Sequence, residues 1–185
     1  MNLKSKVFGI VGAALISLSM VGAVGAQTAD VTVKVGAPDN AVLSASITAG
    51  TFQEVKYRPG SSFQNSTGQV TVTATDTRGV GSGWTVTIAA KGDFQDSTDS
   101  SRTFSVSNFS LQAGSMQGLS SASVNGITPA AVSAVSTSNQ AIMTTAKGSG
   151  MGSFTDTINA TIKVPDGTLV GSYKTTLTVT ITASN

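Results

Sequence analysis

The chain has 185 residues, of which 11% are charged, enough for one domain with a sizeable core and little beyond it. It contains no cysteine and no histidine, which excludes disulfide staples, thiol nucleophiles, cysteine-linked lipid, Cys/His zinc sites and every Ser-His-Asp arrangement. The formal charge of +2 belongs to the first residues: without Lys4 and Lys6, nine basic residues balance nine acidic ones. Charge therefore makes no case for nucleic acid or anionic lipid, and no Lys/Arg cluster interleaved with aromatics occurs.

Residues 1–26 read as a cleaved signal peptide. Lys4 and Lys6 give a basic start, residues 7–21 are apolar apart from Ser17 and Ser19, and Val24-Gly25-Ala26 offers a cleavage site before Gln27. An uncleaved membrane anchor is the other reading. It is disfavoured because Gly and Ser dilute the apolar run, which ends at the small residues a signal peptidase accepts. The expectation is an exported protein, secreted or associated with the cell surface, with no membrane span after cleavage. Residues 27–40 form an N-terminal extension, with a short strand where Val31, Val33 and Val35 alternate with Thr32 and Lys34. A Pro/Asp/Asn turn over residues 36–40 follows.

Residues 41–185 carry the period of β-structure. Leu43, Ala45 and Ile47 share one side of a first segment. Val70, Val72 and Ala74 oppose Thr71, Thr73 and Thr75, and Trp84, Val86, Ile88 and Ala90 oppose Thr85 and Thr87. Ile158, Ala160, Ile162 and Val164 repeat the pattern, and Tyr173, Thr175, Leu177, Val179 and Ile181 predict a fourth and longest strand. Apolar residues at every second place, with threonine between them, mark half-buried antiparallel strands. Several such strands between Gly, Pro, Asp and Ser turns predict an all-β fold, a single antiparallel β-sandwich. Asp166-Gly167 turns the third strand toward the last. Residues 112–139, rich in Ser, Ala and Gly, predict long loops with two short strands at most.

Several residues admit both a binding and a structural reading. Trp84 has an indole able to stack on a pyranose, yet its parity is that of Val86 and Ile88 and places it in the core. Arg78 beside Asp76 suits a carboxylate or phosphate ligand, or equally a local ion pair. Glycines 79, 81 and 83 fit a turn or bulge and match no phosphate loop. Asp93, Asp96 and Asp99 recur every third residue, but not at EF-hand spacing, and read as a solvated loop. The outward threonines, including Thr71, Thr73, Thr75, Thr176, Thr178 and Thr180, could form a flat ligand-binding array, although ordinary β-propensity explains them more simply. No catalytic residue, metal site or cofactor is expected. Glycoside hydrolysis needs two facing carboxyls, and nothing frames such a pair around Glu54 or any Asp.

Two glycine-rich blocks carry a family resemblance. Residues 72–94 include Asp76-Thr77-Arg78-Gly79, then Gly83-Trp84-Thr85-Val86 and a later Phe94. Residues 146–154 hold Gly148, Gly150, Gly152 and Phe154, followed by Val164-Pro165 and a closing segment with Tyr173, Val179 and Ile181. This order resembles the WxL domain of Gram-positive surface proteins. Val86 stands for leucine in the first motif, Val179 and Ile181 for tryptophan and leucine in the second. The resemblance implies a β-sandwich that binds peptidoglycan noncovalently, with Trp84, Arg78 and Asp76 as candidate ligand contacts. Its partners would be cell-wall glycan or other surface proteins. A different class of function is a subunit of a pilus-like fibre or surface layer, self-assembling by strand sharing from an open sheet edge. An exported hydrolase is the third and weakest reading.

Overall fold

A computed structural model describes residues 39–56 and 62–184, together with Val33, Arg58 and Gly60. The export segment lies outside the described residues. Of the strand expected around Val33 only that residue is described, in no regular element. Strands dominate, as the period-two patterning requires, and one 3-10 turn (Val106–Asn108) is the only helical element described.

The chain runs through β1 (Leu43–Ala49), β2 (Phe63–Asp76), β3 (Trp84–Ala90), β4 (Phe94–Asp96), β5 (Thr103–Phe104) and β6 (Phe109–Leu111). It continues through β7 (Ser115–Leu119), β8 (Ile127–Pro129), β9 (Gln140–Thr145), β10 (Gly152–Pro165), β11 (Tyr173–Lys174) and β12 (Leu177–Ala183). One sheet has the order β1-β2-β10-β6, with β7 also paired to β10. A second has the order β12-β3-β9-β8, and a small third sheet joins β11-β4-β5. All pairings are antiparallel.

The two larger sheets close over one core. Val70, Val72 and Ala74 from β2, Ile158 and Ala160 from β10, and Trp84, Val86 and Ile88 from β3 are all buried in it. At roughly 25 cal/mol per Å² of apolar surface, burial of this kind is what holds a chain without disulfides. The edge strands are less covered: Leu43, Ala45 and Ile47 of β1, and Leu177, Val179 and Ile181 of β12, pack against the core only half-buried.

The two sides of the sandwich are closed differently. On one, Leu111 and Val132 exchange backbone hydrogen bonds of 2.8 Å each, and the Val135 N–H donates to the Phe109 carbonyl at 2.7 Å. The segment supplying Val132 is tied to β9 by the Ala130 N–H donating to the Ile142 carbonyl at 2.8 Å. On the other side β1 lies beside β12, but among the described residues no backbone ladder joins them.

One expectation needs correction. The strand predicted to run unbroken from Tyr173 to Ile181 is two strands in two sheets: β11 pairs with β4 and β12 with β3. Thr175 and Thr176 turn the chain between them. The Thr175 hydroxyl donates to the Gly92 carbonyl at 2.7 Å, and the Lys91 N–H donates to the Thr176 carbonyl at 2.8 Å. The longest strands are instead β2 and β10, fourteen residues each and paired along their whole length. Asp166 and Gly167 do form the expected turn, closed by the Thr168 N–H on the Pro165 carbonyl at 3.3 Å. Residues 112–139 contain two short strands, β7 and β8.

Candidate functional site

The two glycine-rich blocks meet at one end of the sandwich and form a clasp. Asp76 closes β2 with its side chain 1% exposed. Its carboxylate accepts from the Arg78 backbone N–H and Nε–H at 3.0 Å each and from Nη2 at 2.8 Å. Arg78 also donates to the Ser82 hydroxyl at 3.3 Å and to the Gly83 carbonyl at 3.5 Å. Hydrogen bonds from the guanidinium outweigh burial and hold the Asp76 carboxyl below its usual range, while the same bonds raise Arg78. Both charges are thus committed to each other and to the loop.

Trp84 joins this loop to the second block. Its backbone N–H donates to the Thr145 hydroxyl at 2.7 Å, and its indole Nε1–H donates to the Gly150 carbonyl at 2.8 Å. The ring packs 6.1 Å from Phe154 between centroids. The Gly148 N–H donates to the Gly81 carbonyl at 2.7 Å, so the two loops are bonded directly. Two glycines are required by this contact. At Gly83 (φ +77°) a Cβ would stand 2.8 Å from the Thr145 carbonyl oxygen, and at Gly150 (φ +75°) 2.8 Å from Trp84 Nε1.

Trp84 is wholly buried. An enclosed indole offers no face for a sugar to stack upon, which leaves it to anchor the loops. Asp76 is equally enclosed, and of the three candidates only Arg78 retains some access, at 22% of its side chain. The side chains at the later motif positions are likewise internal or partly so: Val86 and Phe154 are fully buried, and Val179 and Ile181 are half-buried on β12. Tyr173 is half-buried and donates its hydroxyl to the Leu169 carbonyl at 3.0 Å. What the clasp presents to solvent is the loop tips, where Val80 and Met151 are exposed and Gly79 and Gly148 have open space around them.

The acidic loop is solvated at Asp93 and at Asp99, whose side chain is 42% exposed, with one exception. Asp96 is buried, and its carboxylate accepts from the Thr98 N–H and hydroxyl at 2.9 and 3.0 Å. These bonds, the backbone one foremost, hold it low. Asp99 caps Ser101 in the same way, and Asp93 accepts from the Val106 N–H at 2.9 Å. Asp96 and Asp99 serve their own turns and pair with Arg102 at 3.7 and 3.1 Å, Asp93 reaches across to the 3-10 turn, and among the described residues no group of acids is arranged to hold a metal.

Sequence reasoning missed one group, Asp156. It shares the parity of Phe154 and Ile158 on β10, points into the core, and is wholly buried with neither oxygen hydrogen-bonded. Burial pushes its carboxyl up. An acidic residue at an inward position of a strand was the signal available.

Asp76, Arg78 and Trp84 thus clasp the paired glycine loops at one end of an antiparallel β-sandwich. Residues 30–184 match the model of a family described as the WxL domain, surface cell wall-binding. The chain belongs to this WxL family, and so to a class of cell-surface proteins that bind the cell wall. Among the described residues no helix is long and apolar enough to cross a membrane. No curated protein matches the chain. Among solved structures, one from work on a chaperone–tip adhesin complex in CFA/I fimbriae biogenesis aligns with a TM-score of 0.44 at 12% identity. The match covers 76% of this chain and 42% of that one, so this chain spans less than half of that protein's length.

Proposed function

We propose that this is an exported, noncatalytic protein, with residues 1–26 removed as a signal peptide, that attaches noncovalently to the peptidoglycan of the cell wall. The observation that carries the reading is the match of residues 30–184 to a wall-binding surface family. The chemistry at the clasp supports a binding role. Asp76 and Arg78 neutralise each other, and among the described residues no second carboxyl is bonded at the clasp, whereas acid–base cleavage of a glycoside needs a facing pair. Trp84, Asp76 and Arg78 contribute by fixing the loops rather than by touching glycan. Incubating the full chain with purified peptidoglycan and sedimenting the wall tests this. Enrichment above an unrelated β-sandwich is the expected result, and recovery equal to that control rejects the role.

A second reading, self-assembly by strand sharing, is favoured by one feature: the neighbouring edges of β1 and β12 are not laddered together. Edges of that kind accept an added strand. Size-exclusion chromatography and negative-stain images showing only monomers would remove it.

A further inference from the structure

The outer face of the five-stranded sheet is almost free of charge. Register places Ser46, Thr73 and Thr155 in one cross-strand row and Thr48, Thr71 and Thr157 in the next. Lys163 is the only charged side chain at the outward positions of β1, β2 and β10. A soluble surface ordinarily carries roughly a quarter to a third charged residues, so β-propensity explains the threonines but not the missing lysines and glutamates. Such a face repels no neutral polymer and attracts no ionic one.

This face has a built depression at one end. The row of β1 side chains stops at Thr48 because Gly50 occupies the next outward place, its N–H donating to the Gln69 carbonyl at 2.8 Å. A Cβ on Gly50 would sit 3.0 Å from that oxygen. The result is a shallow trough of about 560 Å3, bounded by Gln53, Gln69, Gln112 and Asn159 and lined by no charged residue. Two of its hydrogen bonds orient the amides: Gln69 Nε2 donates to Asn159 Oδ1 at 3.1 Å, and the Thr67 hydroxyl donates to Gln53 Oε1 at 2.9 Å. Gln69 Oε1, Asn159 Nδ2 and Gln53 Nε2 are left without a partner among the described residues, on side chains exposed to solvent.

We infer that this trough binds an uncharged glycan segment bearing hydroxyl and acetamido groups. The inference rests on the wall-binding reading above and assigns its contact surface to the sheet face rather than to the clasp. A carboxamide supplies both a donor and an acceptor, which a hydroxyl or acetamide can each answer. A charged peptide stem or a phosphate polymer finds no counter-ion there, so the interaction is insensitive to salt, unlike one made by Lys or Arg.

The test uses the full chain against three probes: purified peptidoglycan, soluble N-acetylglucosamine oligosaccharides, and polyphosphate as an anionic polymer. The variants are Gln69→Ala combined with Asn159→Ala in the trough, and Val80→Ser at the clasp tip as control. All these positions are exposed, and unchanged melting temperatures verify folding. Oligosaccharide and wall should bind equally well at low and high salt, weaken about tenfold in the trough variant, and keep full affinity in the control. Wall binding that is undiminished in the trough variant overturns the site while leaving the wall-binding reading intact. Oligosaccharide bound in a trough-dependent way without wall binding upholds the site and removes that reading. Retention on polyphosphate that salt abolishes, or loss confined to Val80→Ser, overturns the inference, as does failure to bind any probe.

Discussion

Replacing Asp156 by Asn isolates the effect of one buried acid. Asp156 lies opposite Val72 and Met116 in the ladders of β10. A side chain on Gly114 would run into its carboxyl oxygens, so there is no room for a larger residue, and the isosteric amide leaves packing unchanged. Among the described residues no hydrogen-bond donor reaches either oxygen, and desolvation raises the carboxyl above its ordinary 3.8. Between that value and its raised one, the folded protein holds a proton that the unfolded chain has released. Stability therefore falls as pH rises through this window, by at most about 1.4 kcal/mol per pH unit, and is unaffected below it. Asp76, Asp96 and Asp99 have lowered values and act with the opposite sign, losing stability only as pH falls below the ordinary carboxylate range. Urea denaturation of both proteins from about pH 3 to 8, a span that brackets the ordinary carboxylate value, should show Asp156→Asn gaining on the original as pH climbs from that value to the raised one, and holding the gain above it. Both retain one orphaned polar group costing about 1–3 kcal/mol, so the profiles should converge at the acid end. Parallel profiles across the range would refute the reasoning.

Four further outcomes follow from the clasp. Trp84→Ala should lower stability by about 3–5 kcal/mol, read as a fall in urea midpoint, since it opens a cavity and orphans the Gly150 carbonyl. In the unaltered protein the single indole should resist acrylamide quenching and keep its emission maximum when wall fragments are added. Arg78→Ala should cost about 3 kcal/mol at neutral pH because it strands the Asp76 carboxylate, and the deficit should shrink once acid protonates that group. Gly150→Ala should destabilise by more than about 1 kcal/mol in thermal melts, since it forces a side chain into a positive-φ site against the indole.

Parity made most of the core legible from the residues alone. Alternation in residues 70–74, 84–90 and 158–160 named side chains that are indeed buried, and the place of Trp84 followed from its neighbours Val86 and Ile88. The central strand β9 was not legible. Ile142 and Met143 are adjacent and both buried, because a register shift opposite Val86 and Thr87 breaks the alternation. The break after Lys174 escaped as well, since Thr175 and Thr176 suit a strand by propensity and only the contacts with Lys91 and Gly92 turn them. At the clasp the residue types were readable but their direction was not. Aspartate, arginine and tryptophan suit a ligand as well as they suit one another, and only the facing loop decides between the two.

The sandwich resembles a book with a bound spine and a loose fore-edge. The spine is the row of amide bonds at Leu111, Val132 and Val135, while β1 and β12 form the fore-edge, held shut by side chains. The chain enters β1 at Leu43 and leaves β12 at Ala183, both beside the clasp. Traction on those two flanks would part the covers one residue at a time instead of shearing a whole ladder at once. Amide exchange should reveal the same order, fastest along β1 and β12 and slowest in β2, β3 and β10.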